Sequence, residues 1–371
     1  MSRPLVLLLG PSREAISGVS THLNLLLGSA LAQGFDLLHF QVGSEGRAEG
    51  RLRRALRLLA SPVLLAAEIL RRAPAIVHLN TSLDQRAFWR DLAYLAVAKL
   101  CGARVVYQVH GGALPQQFLR GRMLTAVLRA ALSWPEVVVV LARCELDAYQ
   151  AFVPGQNVVL LPNGIDCGPY LACERPGAGP RSPLKLICIG RLVATKGLFE
   201  ALEALRLARA RGVAARLVIA GSGPDEQRLK ERVQALGLGG EVFFAGAAHG
   251  ERKMQLLSEA DAMLLPTYHA EGLPYALLEA MAAGAVPVVT RIAALPDVVA
   301  EGVHGLFVPP RDPEALAAAI AELDAHRPAL ARMAGACRSR IAAEYSIARV
   351  AADFTALYCA LITARTPKVA L

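Results

Sequence analysis

Residues 271–279, EGLPYALLE, carry two carboxylates eight positions apart and lead into a small-residue run and the strand-like residues 288–290. On a continuous helix that separation is a rise of about 12 Å, so Glu271 and Glu279 cannot grip one substrate group. They can hold the two ends of one extended ligand. Pro274 suits the first turn of a helix and Gly284 its end, which puts Glu271 in the preceding loop and Glu279 in the helix body. The first carboxylate then neighbours unsatisfied helix N–H groups, which attract anions, with the second about two turns deeper. A ligand with hydroxyls at both ends and phosphates between them, a nucleotide sugar, fits that layout. Taken singly, a loop charge and a solvated helix charge would also account for the pair.

Other residues with chemical capacity fall just after apolar runs. Gly18 opens a helical pattern and lets backbone approach a ligand, although an ordinary loop-to-helix turn needs no more. His110 follows the run 105–109 and precedes Gly111 and Gly112, a position from which a histidine can touch substrate. Gly190 and Arg191 follow the run 184–189, and Lys196 and Gly197 come where a helix should start. Arginine offers a planar fork and lysine a point charge, so Arg191 and Lys196 read as a diphosphate clamp or as a solvated turn. Residues 221–224, GSGP, lack the G-x-G-x-x-G spacing and the following acid of a nicotinamide site. Residues 163–166, NGID, read as a structural turn.

The elements that must position these groups follow from the alternation of short apolar runs with longer helical patterns. Strands are expected over 5–9, 37–42, 76–79, 105–109, 137–141 and 158–160, then over 184–189, 216–220, 242–245, 262–265 and 286–290. Such alternation predicts an α/β chain of two doubly wound Rossmann-like domains, each a parallel sheet with helices on both faces. Residues 1–166 form the first expected domain, the Gly- and Pro-rich residues 167–183 the linker, and 184–346 the second domain. A length of 371 residues suits two cores, and 54% hydrophobic with 5% aromatic residues suits Ala, Leu and Val packed between helices and buried strands. No apolar run has membrane-spanning length, and the N-terminal residues lack a signal-peptide pattern, so a cytoplasmic protein is expected. Seven cysteines without a C-x-x-C pair argue against a disulfide framework or a zinc site.

A net charge of +9 calls for an anionic partner. Seven arginines lie between Arg47 and Arg72. On a helical wheel Leu52, Leu56, Leu59 and Val63 share one side, with Arg53, Arg54 and Arg57 opposite; Ser61 and Pro62 look like the start of a second helix. The basic side either faces water or docks on an anionic membrane surface, Arg53, Arg54 and Arg57 being the docking candidates. No aromatic residues interleave with these arginines, so nucleic acid is not expected as a partner.

In order along the chain, Gly18, His110-Gly111, Asn163-Gly164-Ile165-Asp166, Gly190-Arg191 with Lys196-Gly197, Gly221-Ser222-Gly223-Pro224, Glu271-Gly272 with Glu279-Ala280, and Gly305 form a specific combination. It resembles the retaining nucleotide-sugar glycosyltransferases of family 4, of the two-Rossmann-domain GT-B type, over nearly the whole chain. The resemblance implies an interdomain cleft and a C-terminal helix, about 347–371, crossing back to the first domain. It implies a donor of UDP or GDP type and a carbohydrate or lipid-linked acceptor in cell-surface glycan or glycolipid synthesis. Arg191 and Lys196 would bind the donor diphosphate, Glu279 the ribose, Glu271 and His110 the transferred sugar. Backbone amides of Gly272 and Leu273 would lie near the sugar and phosphates, and Gly18 would let the first loop close on them. No metal or other cofactor is implied. Two departures are Ser17 where the family pairs a second glycine with Gly18, and residues 293–297, AALPD, where the family reads Gly-Gly-x-Pro-Glu. A non-catalytic nucleotide-sugar-binding subunit and an epimerase or hydrolase on the same plan stay open as alternatives.

Overall fold

In the computed structural model, which describes residues 3–44, 49–119, 121–173, 182–270 and 272–364, the apolar runs assemble into two six-stranded parallel sheets. The first contains β1 (Leu5–Gly10), β2 (Asp36–Gln41), β3 (Ile76–Leu83), β4 (Val105–Gly112), β5 (Val137–Val140) and β6 (Val158–Leu160), in the order β2-β1-β3-β4-β5-β6. The second contains β7 (Leu184–Ile189), β8 (Ala215–Ala220), β9 (Val242–Gly246), β10 (Ala262–Leu265), β11 (Val286–Val289) and β12 (Leu306–Phe307), in the order β12-β11-β10-β7-β8-β9. Each order reverses once, between β1 and β3 and between β7 and β10. At such reversals the loops leaving neighbouring strands part, and ligands of open α/β sheets settle there.

The period-two pattern of the strands feeds two apolar layers in the first sheet. Leu7, Leu9, Val77, Leu79 and Tyr107 face one, while Val6, Leu8, Ile76 and Val106 face the other. The second layer is completed by the helix Ile347–Thr363, whose Val350, Ala351, Phe354 and Tyr358 are buried against those strands. Each fully buried side chain of that size contributes about 1.5 to 3 kcal/mol. This far-away segment is therefore integral to the first unit. Contacts divide the chain accordingly: one unit holds the described residues through Gly164 and from Ile347 onward, the other Ile165–Ser346. The division falls in the NGID turn, where a Cβ on Gly164 would come within 2.8 Å of Val350.

Several expectations need correction. Residues 51–72 form one helix, Arg51–Arg72, with Pro62 inside it, rather than two helices. Ser61 does not cap a second helix; its hydroxyl bonds the Tyr94 hydroxyl at 2.6 Å, in the buried seam with the helix Gln85–Leu100. The wheel's orientation also inverts, because Ser61, Leu65 and Ile69 are buried while Leu52, Leu56, Leu59 and Val63 are exposed. The β4 strand runs on to Gly112, placing His110 within it. In the expected linker, Gly168–Ala172 is a short helix packed on the helix Tyr275–Ala283; residues 174–181 lie outside the described residues, as do 365–371 of the expected crossover segment.

Candidate active site

The loops after β7 and β10 meet at the reversal of the second sheet, and backbone geometry explains why. Gly197 has φ 78°, and a Cβ there would stand 2.3 Å from the Pro266 carbonyl oxygen, so only glycine lets the two loops touch. The Thr195 carbonyl accepts from the Tyr268 N–H (3.0 Å) and the Thr267 hydroxyl (3.1 Å), and Thr290 Oγ1 donates to the Thr267 carbonyl at 2.7 Å. Lys196 is thereby fixed beside the segment that leads into Gly272 and Leu273. The turn Ala194–Lys196 is pinned from its other side by Asp225, whose Oδ2 accepts from the Ala194 N–H at 2.8 Å. Arg191 is exposed and Lys196 half-buried, both at the carboxyl end of the sheet. GSGP proves structural: a Cβ on Gly221 would lie 1.8 Å from the Gly190 carbonyl, and one on Gly223 2.2 Å from that of Leu192. These glycines let the β8 loop cross the Arg191 loop.

Glu279 occupies the body of the helix Tyr275–Ala283, which Pro274 caps without a side-chain bond and Gly284 ends in a left-handed conformation. Pro274 is thus the cap, one position before the expected first turn. The Glu279 side chain is buried, and Lys253 Nζ, on the helix Gly250–Glu259, donates to its Oε1 at 2.6 Å. Its Oε2 is buried and accepts no hydrogen bond among the described residues. Burial, then the Glu279 carboxylate, push the Tyr275 and Tyr170 phenols up, so both rings keep their protons beside it. Lys253 and the Tyr170 hydroxyl both turn donors to this carboxylate, an acceptor suited to hydroxyl ligands. Gly272 and Leu273 lie directly before this helix, Leu273 buried. Glu271 lies outside the described residues.

In the first unit, His110 and the Gly18 loop are brought together through His22. Gly18 is the first residue of the helix Gly18–Leu27, and the preceding Ser17, at the position of the family's second glycine, is its N-cap, accepting from the Ser20 N–H at 3.3 Å. His22, one turn on, meets His110 edge-to-face with ring centroids 4.7 Å apart. His110 Nε2 lies 2.8 Å from Asn80 Oδ1, while Asn80 Nδ2 donates to the Leu9 carbonyl. Asn80 therefore presents an acceptor, Nε2 carries the proton, and Nδ1 is left as the acceptor nitrogen. Burial, reinforced by His22 and His78, holds His110 well below its usual range, so the ring is neutral. It can orient a hydroxyl but brings no charge. After β11, Ala293 takes φ 49° where the family's glycine would stand, so the left-handed turn survives the AALPD departure.

Sequence reasoning missed Asp225, Lys253 and Asn80. Asp225 and Lys253 read as ordinary surface charges, and nothing local links Lys253 to a carboxylate 26 residues on.

Residues 16–168 match the Glycosyltransferase Family 4 pattern and residues 175–340 the Glycosyl transferases group 1 pattern. The chain belongs to the group 1 glycosyltransferases of GT-B fold. It is 36% identical over 175 residues to the putative colanic acid biosynthesis glycosyltransferase WcaL of Salmonella typhimurium, spanning 46% of this chain and 42% of that protein. It is 29% identical over 285 residues, 71% of this chain and 72% of the relative, to a GDP-mannose-dependent alpha-(1-6)-phosphatidylinositol monomannoside mannosyltransferase of Mycobacterium tuberculosis. The chain spans about half the length of several curated relatives it matches, 42 to 50%. Anabaena Alr3699/HepE, crystallised in complex with UDP, superposes with TM-score 0.75 over 96% of this chain and 99% of that one at 16% identity, a likeness of fold.

Proposed function

We propose that this protein transfers a sugar from a nucleoside diphosphate sugar of UDP or GDP type to an acceptor hydroxyl, with retention at the anomeric carbon, in cell-surface glycan or glycolipid synthesis. The observation that carries the reading is the junction of the β7 and β10 loops, where Arg191 and Lys196 follow β7 and the β10 loop leads into the helix that carries the buried Glu279 carboxylate. Arg191 and Lys196 hold the diphosphate, Glu279 Oε2 takes the ribose hydroxyls, and the Gly272 and Leu273 amides meet the sugar and phosphates. Glu271 and neutral His110 orient the transferred sugar, and the Gly18 loop attends the phosphates. The unit of residues through 164 and from 347 onward acts as the acceptor-side domain, and 165–346 as the donor-binding domain. The bond from the anomeric carbon to the leaving phosphate oxygen breaks as the acceptor oxygen bonds the same face, and that phosphate oxygen takes the acceptor proton. No protein nucleophile is used, and the two cations offset the charge that grows on the leaving group. The names of the relatives, one GDP-mannose-dependent and one crystallised with UDP, favour these donor classes.

Glu279→Gln should weaken donor binding about 10- to 100-fold by losing a charge-assisted bond, raising the donor KM more than it lowers kcat. Titration calorimetry with UDP and GDP, on protein whose folding is verified by circular dichroism, reads this directly. Equal affinity of wild type and variant for the bound nucleotide would remove Glu279 from the site.

A further inference from the structure

The helix Arg51–Arg72 turns its leucines to solvent. Leu52, Leu56, Leu59, Val63 and Leu70 are 75, 60, 76, 70 and 71% exposed, and recur along one side of the helix together with exposed Ala67. The side packed inward presents Ser61, Leu65 and Ile69. An outer helix of an α/β layer ordinarily buries its apolar stripe, so this one has the wrong face out for a helix that meets only water. Charge frames the stripe. Arg51 and Arg53 flank the Leu52 line, about 100° to either side, and both are exposed. At the other end Arg71 and Arg72 share Glu68, the only acid of the helix. Arg57 is not part of this rim, because its guanidinium is turned to Glu49 and to the Ser44 hydroxyl at 2.9 Å. No described helix is long and apolar enough to cross a membrane.

We propose that this helix lies in the plane of an anionic membrane surface, with Leu52, Leu56, Leu59, Val63 and Leu70 among the acyl chains and Arg51 and Arg53 at the phosphate level. Apolar insertion supplies the binding and the arginines select anionic lipid, whereas a docking face made of Arg53, Arg54 and Arg57 would use charge alone. A second copy fits less well. Apposing two such stripes, in either direction, brings the arginine-rich ends of both helices together with only Glu68 to offset them. The inference goes beyond the sugar-transfer reading, and its test reads binding without turnover.

The experiment is flotation of the full chain with vesicles of phosphatidylcholine alone or with roughly one third phosphatidylglycerol, paired with sedimentation velocity without lipid. The wild type is expected to be monomeric and to float with the anionic vesicles. Leu56→Ser/Leu59→Ser, at exposed positions and with an unchanged Tm, should lose at least about tenfold in partitioning. Arg51→Gln/Arg53→Gln should lose severalfold and show a flatter salt dependence. Three outcomes would overturn the proposal: equal flotation of the leucine variant, a wild type that does not float, or a lipid-free dimer that the leucine substitutions dissociate.

Discussion

Lys196→Ala is expected to leave a folded protein whose turnover falls by about 10² to 10³, the loss seen when one preorganised donor to a developing anion is removed. The expectation rests on how firmly the lysine is placed. Its turn is bonded to Asp225 on one side and to the Thr267 hydroxyl and Tyr268 N–H on the other, so the backbone that carries Lys196 is fixed. Arg191→Ala should act in the same direction. If both serve one leaving group as proposed, the double variant should lose less than the product of the two. Steady-state kcat with saturating donor checks this, and wild-type kcat for Lys196→Ala would break the clamp assignment.

Acid should unfold the first unit through its histidines. Burial lowers His22 to about 4 and His78 to about 3, and His110 is also held well below the usual range. The rings sit together: His78 Nδ1 is 2.6 Å from the Tyr358 hydroxyl, and Phe354 meets His22 edge-on and His78 at a tilt. The unfolded chain takes up protons on these rings as pH drops below about 6.5, while the folded chain does not. The stabilisation is therefore complete above about pH 6.5 and is lost as pH falls towards the folded values. By pH 4 the loss approaches an upper figure of about 3 kcal/mol for each of His22 and His78. Urea midpoints followed by near-ultraviolet circular dichroism between pH 7 and 4.5 read the effect, and His78→Gln should flatten the dependence. A midpoint constant over that range would show that these rings titrate as exposed histidines do.

The strands were legible because buried parallel strands are written as short apolar runs: 158–160, 184–189 and 262–265 appear with the bounds expected of them. The two-residue strand Leu306–Phe307 carries too little pattern to announce itself. The helix Arg51–Arg72 was misread because Ser-Pro is a strong local start signal, yet Pro62 is accommodated within a continuous helix and Ser61 is claimed by Tyr94 across a helix seam. Its inverted face was unreadable for a related reason. The wheel shows two faces, and the partner, not the sequence, decides which is covered. In the candidate site, residues adjacent to strand ends could be picked out by position, as Arg191, Lys196 and His110 were. Their surroundings could not, since Asp225 holds the Ala194 N–H, Lys253 the Glu279 carboxylate and Asn80 the His110 ring over 31, 26 and 30 residues of sequence.

Sugar transfer is tested most directly by acceptor-dependent release of nucleoside diphosphate, measured with UDP- and GDP-sugars in the presence and absence of a lipid-extract acceptor. One donor should release its nucleotide only when acceptor is present, with the new glycosidic bond keeping the donor's anomeric configuration by nuclear magnetic resonance. Release without any acceptor, or a bound nucleotide that is never released under any acceptor, would contradict the assignment of this protein as a retaining sugar transferase.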